Sequence, residues 1–590
     1  MELLHRRNNQ SSKIKQEDDT ALNEELLEDN QPTTEVPSVV QRSLFSQLEM
    51  LNGNSLQLLI NQSSSNSYFF TRIIFVHLMG LIYIFSFLAA FNHAPVLIGH
   101  KGLYPAYLHI QNMYKNYGSE APWISPSFFY FLPMESSDIA LKTVCAIGTV
   151  LGMFMLFTGR CNSIILFLLW CLHMSLYNIG QLFYGFGWES QILETTFLGM
   201  FLVPFYSLKR INKHSPPSIL FVFLMRFLIF RIMMGAGLIK IRGDQCWRDL
   251  TCLNYHYETQ PIPNPISYYL HQTPYAFHKF EVIINHITEL ATPAFVFGLF
   301  GFTRHSRLVR HIGGTIQIVF QILLIISGNL SVLNYVTIAP ALWCYDDKFC
   351  LWKYIFNTKQ HKIVKEIKTL NKRLYLMKLI RSIVHLCVFG LIAYLSIKPI
   401  ANLFSRYQRM NSSFDRLNLV NTYGAFGSVG KIRDEVIISG CDRTNVDECN
   451  THNLWKEYEF ICKPGNISRR PCFTAPYHQR LDWQMWFAGF QDIQNNPWLI
   501  HLMIQMLASD KKSAINAILA TKGNPFLDSP PIFIKADLYR YKFTRLGTGD
   551  KNWWARKYMR QYCPILKLDS ANVKSIMRQM KWKIPVYPIR

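Results

Sequence analysis

The sequence predicts a polytopic α-helical membrane protein with about seven to nine spans and a C-terminal α+β domain. Of the 590 residues, 49% are hydrophobic and only 17% are charged, whereas soluble proteins carry about a quarter charged residues. Nine apolar stretches lie between residues 70 and 400, and no comparable run follows them. The chain has a net charge of +23. In a membrane protein such an excess of Lys and Arg usually lies in cytoplasmic loops, so it does not indicate a nucleic-acid partner. The bilayer is therefore a predicted partner.

Residues 1–70 are predicted to be a disordered, acidic, cytoplasmic tail. They contain ten Asp/Glu against five Lys/Arg, and such a segment buries too little apolar surface to offset its ordering entropy. No apolar run follows Arg6 and Arg7, so we predict no signal peptide. The first apolar run, 71–91, is long enough to span a bilayer and is interpreted as an uncleaved signal anchor.

Residues 71–400 are predicted to be a multi-span membrane domain. Two of its candidate spans, 163–180 and 331–345, are short, and the second is a candidate re-entrant segment. The nine candidates are 71–91, 138–158, 163–180, 188–207, 217–241, 283–303, 309–327, 331–345 and 378–400.

Basic loops predict the topology of these spans. Lys/Arg clusters lie at 209–213, at 304–310 and in the segment 348–381, and positive loops remain cytoplasmic. The loops 92–137, 242–282 and 328–330 then lie on the far side of the membrane. With nine spans the acidic tail is cytoplasmic, and the chain after residue 400 is on the far side.

Residues 401–590 are predicted to form a folded α+β domain. This region carries 28 Lys/Arg and 15 Asp/Glu. Alternating apolar and polar residues at 453–461 and 537–543 predict strands. The stretches 481–493 and 497–508 are predicted to be helices.

Seven cysteines fall on the predicted far side, where an oxidising compartment would pair six of them. Sequence proximity suggests Cys246–Cys252, Cys441–Cys449 and Cys462–Cys472, which leaves Cys563 as a free thiol or an intermolecular partner. No pair has the C-x-x-C spacing of a thioredoxin-like site.

Five N-glycosylation sequons occur, and two of them, Asn411 and Asn466, lie in a far-side segment with space for a glycan. Asn9 and Asn61 fall in the predicted cytoplasmic tail, and Asn329 lies in a short loop.

One polar block, 235–260, is the candidate functional loop at the end of a predicted span. Lys240 is either a functional cation near lipid or a side chain that extends to the interface. His256 and Glu258 are either an acid/base pair or a structural hydrogen-bond pair. The candidate residues of this loop are Lys240, Arg242, Asp244, Trp247, Arg248, Asp249, His256 and Glu258.

Charged residues also fall inside predicted spans, where they are costly unless paired within the bundle. Glu194 is expected to pair with Arg226 or Arg231. The pair either holds helices together or forms part of a substrate site.

Aromatic residues are frequent in the C-terminal domain. They form either a protein-binding surface or part of the core. The candidates are Tyr423, Phe426, Trp483, Trp486, Tyr539, Tyr541, Trp553 and Trp554. No serine-hydrolase, metalloprotease, zinc-ligand or nucleotide motif occurs, so no catalytic residue, metal or cofactor is predicted.

The run FRIMMGAGLIKIRGDQCWRDLTCLNYHYETQPIPNP at 230–265 resembles the signature of the lipase maturation factor family. GFGWESQILETTFL at 185–198 and SGNLSVLNYVTIA at 327–339 resemble further family motifs, with Leu330 in place of an aromatic residue. In the predicted C-terminal domain, further segments resemble motifs of the same family: 419–437, 455–472, 475–488, 524–526, 539–543 and 551–562. Cys246 and Cys252, with Arg248 between them, resemble the paralogue that is tied to lipases. The resemblance covers about 70–565.

This resemblance implies a non-enzymatic, chaperone-like factor in the endoplasmic reticulum membrane. Its clients would be the homodimeric lipoprotein, hepatic and endothelial lipases, whose folding, dimer assembly and secretion it assists. Lumenal chaperones and redox proteins would be partners. The lumenal domain 401–590 would bind the client, and the loop 242–282 would carry a redox-sensitive Cys246–Cys252 pair.

Two alternatives remain open. The segment 237–251 weakly resembles the vitamin K-dependent carboxylase, in which a lysine placed like Lys240 would act as a base. A lumenal thiol redox factor is the third hypothesis, and it requires Cys246 and Cys252 to cycle between thiols and disulfide.

Overall fold

The computed structural model describes residues 67–132, 137–298, 304–358, 360, 372–509, 514–519, 524–547, 549 and 551–582. The predicted acidic tail 1–70 lies almost entirely outside these residues, as do residues 361–371 of the basic segment 348–381.

Helices dominate the described chain up to residue 404. In order they are α1 (Phe69–Leu97), α2 (Ala106–Tyr117), α3 (Ala121–Ile124), α4 (Ser137–Thr158), α5 (Ser163–Ile179), α6 (Gly187–Met200), α7 (Ile219–Arg242), α8 (Gln245–Arg248), α9 (Leu253–Thr259), α10 (Pro265–His271), α11 (Tyr275–His286), α12 (Arg304–Ser327), α13 (Leu333–Ala341), α14 (Trp352–Ile355), α15 (Lys372–Leu395) and α16 (Ile397–Phe404).

Five helical stretches in the described chain are long and apolar enough to cross a membrane. They are α1, α4, α7, α12 and the stretch Leu379–Phe404 of α15 and α16. In lipid, only a helix satisfies every backbone group within one segment, so these apolar runs fold as helices. Each coincides with a predicted span.

The other predicted spans are shorter or interrupted. Helices α5, α6 and α13 contain 17, 14 and 9 residues, so none reaches the usual spanning length of about 20. The predicted span 283–303 is broken, because α11 continues as a π-helix, Ile287–Ala291, and then as a 3₁₀-helix, Thr292–Phe297. Pro293 has no N–H to donate, which interrupts the α-helical pattern one turn earlier at Glu289.

The C-terminal part is mixed α+β, as predicted. Its strands are β1 (Ser412–Ser413), β2 (Asn421–Thr422), β3 (Arg433–Cys441), β4 (Lys456–Glu457), β5 (Phe533–Phe543) and β6 (Trp554–Lys567). Its helices are α17 (Val446–Thr451), α18 (Arg480–Ala488), α19 (Pro497–Leu507) and α20 (Ala571–Gln579). The main sheet has the order β4-β3-β5-β6 and is antiparallel.

The predicted strand 537–543 and the two predicted helices are confirmed. The predicted strand 453–461 is mostly wrong, since only Lys456 and Glu457 pair with β3. Phe460 pairs instead with Leu519, which takes the chain away from the sheet.

The C-terminal domain packs on one end of the helical bundle. Arg480 donates to the Phe183 carbonyl beyond α5, and His501 contacts the Leu103 carbonyl beyond α1. Asn329, just after α12, donates to the Cys472 carbonyl. The loops predicted to share the far side of the membrane therefore meet at the same end of the bundle.

Three disulfides are present, Cys246–Cys252, Cys441–Cys449 and Cys462–Cys472, and they are the pairs suggested by proximity. Cys563 on β6 is a free thiol and is only 2% exposed. Its burial fits the expected free thiol and does not support the expected intermolecular disulfide.

Candidate functional site

Lys240 lies in the last turn of α7 and is buried, at 4% exposure. Its Nζ donates to Glu289 Oε1 at 2.5 Å and to Asn285 Oδ1 at 3.1 Å, and it lies 4.9 Å from the centre of the Trp247 ring. The expectation that Lys240 extends to the membrane interface is therefore wrong. The Lys240 side chain points into the bundle because Glu289, in the π-helix, lies within reach of it. A buried ammonium requires such a carboxylate.

The Cys246–Cys252 disulfide lies beside this cluster and is itself buried, at 4% and 0% exposure. Asp244 caps α8 by accepting from the Cys246 N–H at 3.1 Å. Trp247 Nε1 donates to the Phe426 carbonyl at 2.8 Å. The disulfide thus lies under the segment that leads into β3, and a redox partner would reach it only after this segment opens.

His256 and Glu258 do not form a pair, so both expectations for them are wrong. They are two positions apart on α9 and project about 200° apart around the helix. His256 packs edge-on against the Phe426 ring at 4.9 Å; burial, and then the charge of Lys240, lower its pKa to about 4. Glu258 accepts from the Phe543 N–H at 3.1 Å and lies 3.2 Å from His271.

The other loop candidates have local structural contacts. Arg242 donates to the Leu403 carbonyl at 2.6 Å, which ties the end of α7 to α16. Arg248 and Asp249 both contact the side chain of Gln245, and Arg248 also donates to the Ile241 carbonyl. These bonds shape the turn between α7 and α9.

Glu194 on α6 pairs with Arg231 on α7, one of the two expected partners. Arg226 instead donates to the Trp343 carbonyl and the Tyr68 hydroxyl. The second oxygen of Glu194 accepts from the Tyr423 hydroxyl at 2.7 Å. The carboxylate therefore joins the bundle to the segment that precedes β3, and Tyr423 belongs to this buried network.

Sequence reasoning missed a second buried ion pair at this boundary. Arg480 on α18 donates to Glu189 Oε1 at 2.8 Å, and its guanidinium lies 3.7 Å from the centre of the Tyr184 ring. Both charged residues are about 1% exposed. The available signal was a few charged residues within two otherwise largely apolar family motifs, Glu189 and Glu194 in 185–198 and Arg480 and Asp482 in 475–488.

His478 lies next to this pair and is 3% exposed. The rings of Trp188 and Trp483 pack edge-on against it, and neither ring nitrogen has a hydrogen-bond partner among the described residues. Burial, and then the charges of Arg480 and His93, hold the pKa of His478 well below its usual range. The imidazole is therefore neutral in the folded protein.

A third buried cluster was also missed, and it lies within the C-terminal domain. Glu435 on β3 lies 2.6 Å from Arg433 and 2.9 Å from Lys463. Arg433 also donates to the Glu258 carbonyl at 3.0 Å. This cluster connects β3 to the loop that follows α7.

The eight aromatic candidates divide by burial. Tyr423, Trp483, Tyr541 and Trp554 are 0–6% exposed, so their assignment to a protein-binding surface is wrong because they fill the interior. The other four, Phe426, Trp486, Tyr539 and Trp553, are half-buried.

An open groove that the sequence did not reveal lies beside Trp486, one of the half-buried residues. It has a volume of about 490 Å³ and is lined by residues of β3, β5 and β6 and of the chain after α18, including Phe490, Asp492, Arg540 and Met559. The Phe490 ring is 61% exposed and lies 4.9 Å from Trp486. Leu538 and Arg540 of β5 line the groove. Because neighbouring strand positions point to opposite faces, Tyr539 and the exposed Tyr558, whose rings lie 5.6 Å apart, are on the other face of the sheet. The groove thus combines an apolar rim with charged walls.

The sequons differ in accessibility. Asn411 and Asn466 are exposed, which a glycan requires. Asn329 is 2% exposed and bonds with the backbone of Cys472 and Thr474, so it has a structural role.

Within the described residues, no group of three or more His, Cys, Asp and Glu could hold a metal ion. Buried charged side chains of this region instead pair with one another, as Arg231 does with Glu194 and Arg480 with Glu189. Their arrangement fastens the C-terminal domain to the bundle, and the groove is an open concave surface outside these contacts.

Comparison with known proteins points to one family. The profile of the lipase maturation factor transmembrane domain matches residues 70–352, and that of the lipase maturation factor C-terminal domain matches residues 419–564. Lipase maturation factor 1 of Mus musculus is 42% identical over 543 residues, covering 89% of this chain and 92% of the relative. Its Homo sapiens counterpart is 40% identical over 534 residues, covering 88% and 92%. Lipase maturation factor 2 of Xenopus tropicalis is 28% identical over 600 residues, covering 84% and 82%. No solved structure matches the chain.

Proposed function

Because the chain belongs to the lipase maturation factor family, we propose that it assists folding and dimer assembly of secreted homodimeric lipases in the endoplasmic reticulum membrane. The observation that carries this proposal is that both parts of the chain match the family, at about 40% identity to relatives named lipase maturation factor 1. The proposed clients are the lipoprotein, hepatic and endothelial lipases.

The proposed topology has nine crossings, with a cytoplasmic N-terminus and a lumenal C-terminal domain. Helices α5, α6 and α13 and the interrupted segment from α11 to Phe297 would supply the four crossings beyond the five long stretches. Two features support this. The three disulfides lie at the end of the bundle that carries the C-terminal domain, and the basic loop at 209–213 lies at the opposite end.

The proposed client-binding surface is the groove bounded by Phe490 and Met559. An obligate dimer interface that is exposed in a monomer aggregates unless it is covered. The exposed Phe490 ring offers apolar contact, while Arg540 and Asp434 form an ion pair at 2.9 Å in the wall. A client would thus meet a preformed surface rather than the buried aromatic core.

The two alternative functions have less support. Both polar contacts described for Lys240 Nζ, to Glu289 and Asn285, are internal, which leaves a base without an approach to substrate. The Cys246–Cys252 disulfide is buried, which suits a structural bond better than a cycling one. We therefore propose a non-catalytic factor whose lumenal chaperone and redox partners act on the client.

Secreted lipase activity tests this function. Cells that lack the protein would secrete a dimeric lipase and a monomeric pancreatic-type lipase, with enzyme mass and activity measured separately. We expect activity per unit mass to fall only for the dimeric lipase and to return on re-expression. Unchanged activity of the dimeric lipase would contradict the proposal.

Variants distinguish the alternatives in the same cells. A membrane enzyme requires Lys240→Ala to abolish rescue while the protein remains folded and bound to client. A thiol redox factor requires Cys246→Ser with Cys252→Ser to abolish rescue at a normal protein level.

A further inference from the structure

The end of the bundle opposite the C-terminal domain carries two basic loops. Residues 159–162 join α4 to α5, and residues 201–218 join α6 to α7. Together they contain Arg160, Lys209, Arg210 and Lys213 and no Asp or Glu. Neither the buried clusters nor the proposed client surface accounts for this concentration of positive charge.

Two arginines from neighbouring helices hold the longer loop in place. Arg72 of α1, 2% exposed, donates to the Ser215 carbonyl at 2.8 Å and to the Arg210 carbonyl at 3.2 Å. Arg381 of α15 donates to Ser215 Oγ at 2.7 Å and to the Pro216 carbonyl at 3.0 Å. Two guanidinium groups therefore share Ser215 and are satisfied there by neutral oxygens.

A small cavity opens between this loop and α1. Its polar wall consists of Arg72, Lys209 and Arg210, and its apolar wall includes Val76 and Val203. In the described part of the chain these three cations form no ion pair with a carboxylate, and the buried Nε of Arg210 has no hydrogen-bond partner. An unsatisfied buried donor is costly, so the wall is suited to an anionic acceptor.

Gly159 preserves the space at this wall. Its φ is +60°, and a Cβ built on it would lie 2.4 Å from His77 Nε2 and 3.1 Å from Arg210 Nη2. His77 Nδ1 contacts the Leu156 carbonyl at 2.5 Å, and Arg210 Nη2 lies 3.3 Å from His77 Nε2. Because arginine can only donate, His77 Nε2 accepts. The Arg210 guanidinium is thereby fixed at the cavity.

We propose that this cavity binds a phosphomonoester group, carried by an anionic lipid headgroup in the leaflet at that end of the bundle. The enclosed volume is about 10 Å³, the space of one water-sized group. It therefore admits a phosphate oxygen, while the rest of the headgroup lies at the mouth near Lys209. The apolar wall, which includes Val76 and Val203, suits the lipid's glycerol and acyl chains. Basic pockets between membrane helices bind phosphorylated headgroups in this manner.

Native mass spectrometry of the full-length protein in detergent tests the proposal. Phosphatidic acid supplies the phosphomonoester, phosphatidylserine supplies a phosphodiester headgroup, and phosphatidylcholine is the neutral reference. We expect retention in the order phosphatidic acid, phosphatidylserine, phosphatidylcholine. Lys209→Gln with Arg210→Gln should lower retention of phosphatidic acid about 30-fold, since each cation contributes about fivefold.

The matched control is Lys348→Gln with Lys353→Gln, which removes two exposed cations from the same end of the bundle. This control should retain phosphatidic acid like the unsubstituted protein. Equal losses in both double variants, or equal retention of phosphatidic acid and phosphatidylcholine by the unsubstituted protein, would overturn the proposal. The single variant Lys209→Gln changes an exposed side chain, and its expected loss of about fivefold provides a test if the double variant does not fold.

Inorganic phosphate distinguishes the source of the phosphate. If millimolar phosphate displaces phosphatidic acid and raises the melting temperature as far as the lipid does, free phosphate is the ligand of the same site. If phosphate does neither while the site variant loses the lipid, the lipid headgroup is the ligand. Displacement that is equal in the site variant would reflect general screening and would contradict a defined site.

Discussion

Replacing Arg480 by alanine tests whether the C-terminal domain is fastened to the bundle by a buried charge pair. Arg480 and Glu189 are each about 1% exposed and lie 2.8 Å apart. Arg480 also donates to the Phe183 carbonyl at 2.7 Å. Truncation leaves the Glu189 carboxylate buried with only His173 nearby, at 3.1 Å. Breaking one partner of a buried pair costs about 3–5 kcal/mol, so we expect a lowered melting temperature, on the order of 10 °C.

The control is Arg560→Ala. Arg560 and Asp492 also lie 2.8 Å apart, but their side chains are 50% and 72% exposed. An exposed pair contributes about 0–1 kcal/mol. Arg480→Ala should therefore lower the melting temperature more than Arg560→Ala, because the two pairs differ in burial and not in distance. The measurement is thermal unfolding of the purified full-length protein in detergent.

A double-mutant cycle isolates the pair itself. Arg480→Ala with Glu189→Gln should cost less than the sum of the single variants, by about 2 kcal/mol, because the second change removes the stranded charge. Additive effects, or an Arg480→Ala effect no larger than that of Arg560→Ala, would refute the reasoning.

Three further outcomes are expected. Cys246→Ser with Cys252→Ser should destabilise the protein by about 2 kcal/mol in thermal unfolding, as the loss of a short disulfide loop predicts, and a normal melting temperature would contradict a structural role. Stability should fall as the pH drops below 6.5, because His478 is neutral when folded and its pKa lies below that value, whereas the unfolded imidazole binds a proton. His256, whose pKa is also lowered, contributes in the same direction. His478→Phe should therefore make the fall in melting temperature between pH 7 and 5 less steep, and an unchanged pH profile would be evidence against this. Phe490→Asp should reduce co-precipitation of a dimeric lipase with little change in melting temperature, whereas Trp554→Ala should cost about 3–5 kcal/mol of stability. Unaltered lipase binding by Phe490→Asp would show that the client does not bind at the groove.

Local sequence patterns predicted the helices well, since lipid requires long apolar helices. They did not predict which polar groups meet. Glu194 and Tyr423 are 229 positions apart, and no periodicity joins such residues. The break after α11 was foreseeable from Pro293, but the use of the resulting π-helix to bring Glu289 to Lys240 depends on the neighbouring helix.

The aromatic residues of β5 show the same limit. Alternation places Tyr539 and Tyr541 on one face of the strand, so the sequence treats them alike. Tyr541 is fully buried and donates to the Gly465 carbonyl at 2.7 Å. Tyr539 lies nearer the exposed Tyr558. What covers each ring comes from a distant part of the chain, and so the difference in their burial could not be foreseen.

The buried thiol of Cys563 is poorly reactive toward other cysteines. Burial raises its pKa from 9.0 to about 12, which lowers the reactive thiolate population about a thousandfold. Cys563 lies opposite Ala536 in the hairpin of β5 and β6. Once that hairpin closes, this sulfur is kinetically excluded from disulfide exchange. Under the proposed function, a lipase that still carries unpaired cysteines would contact this domain without forming a disulfide with Cys563.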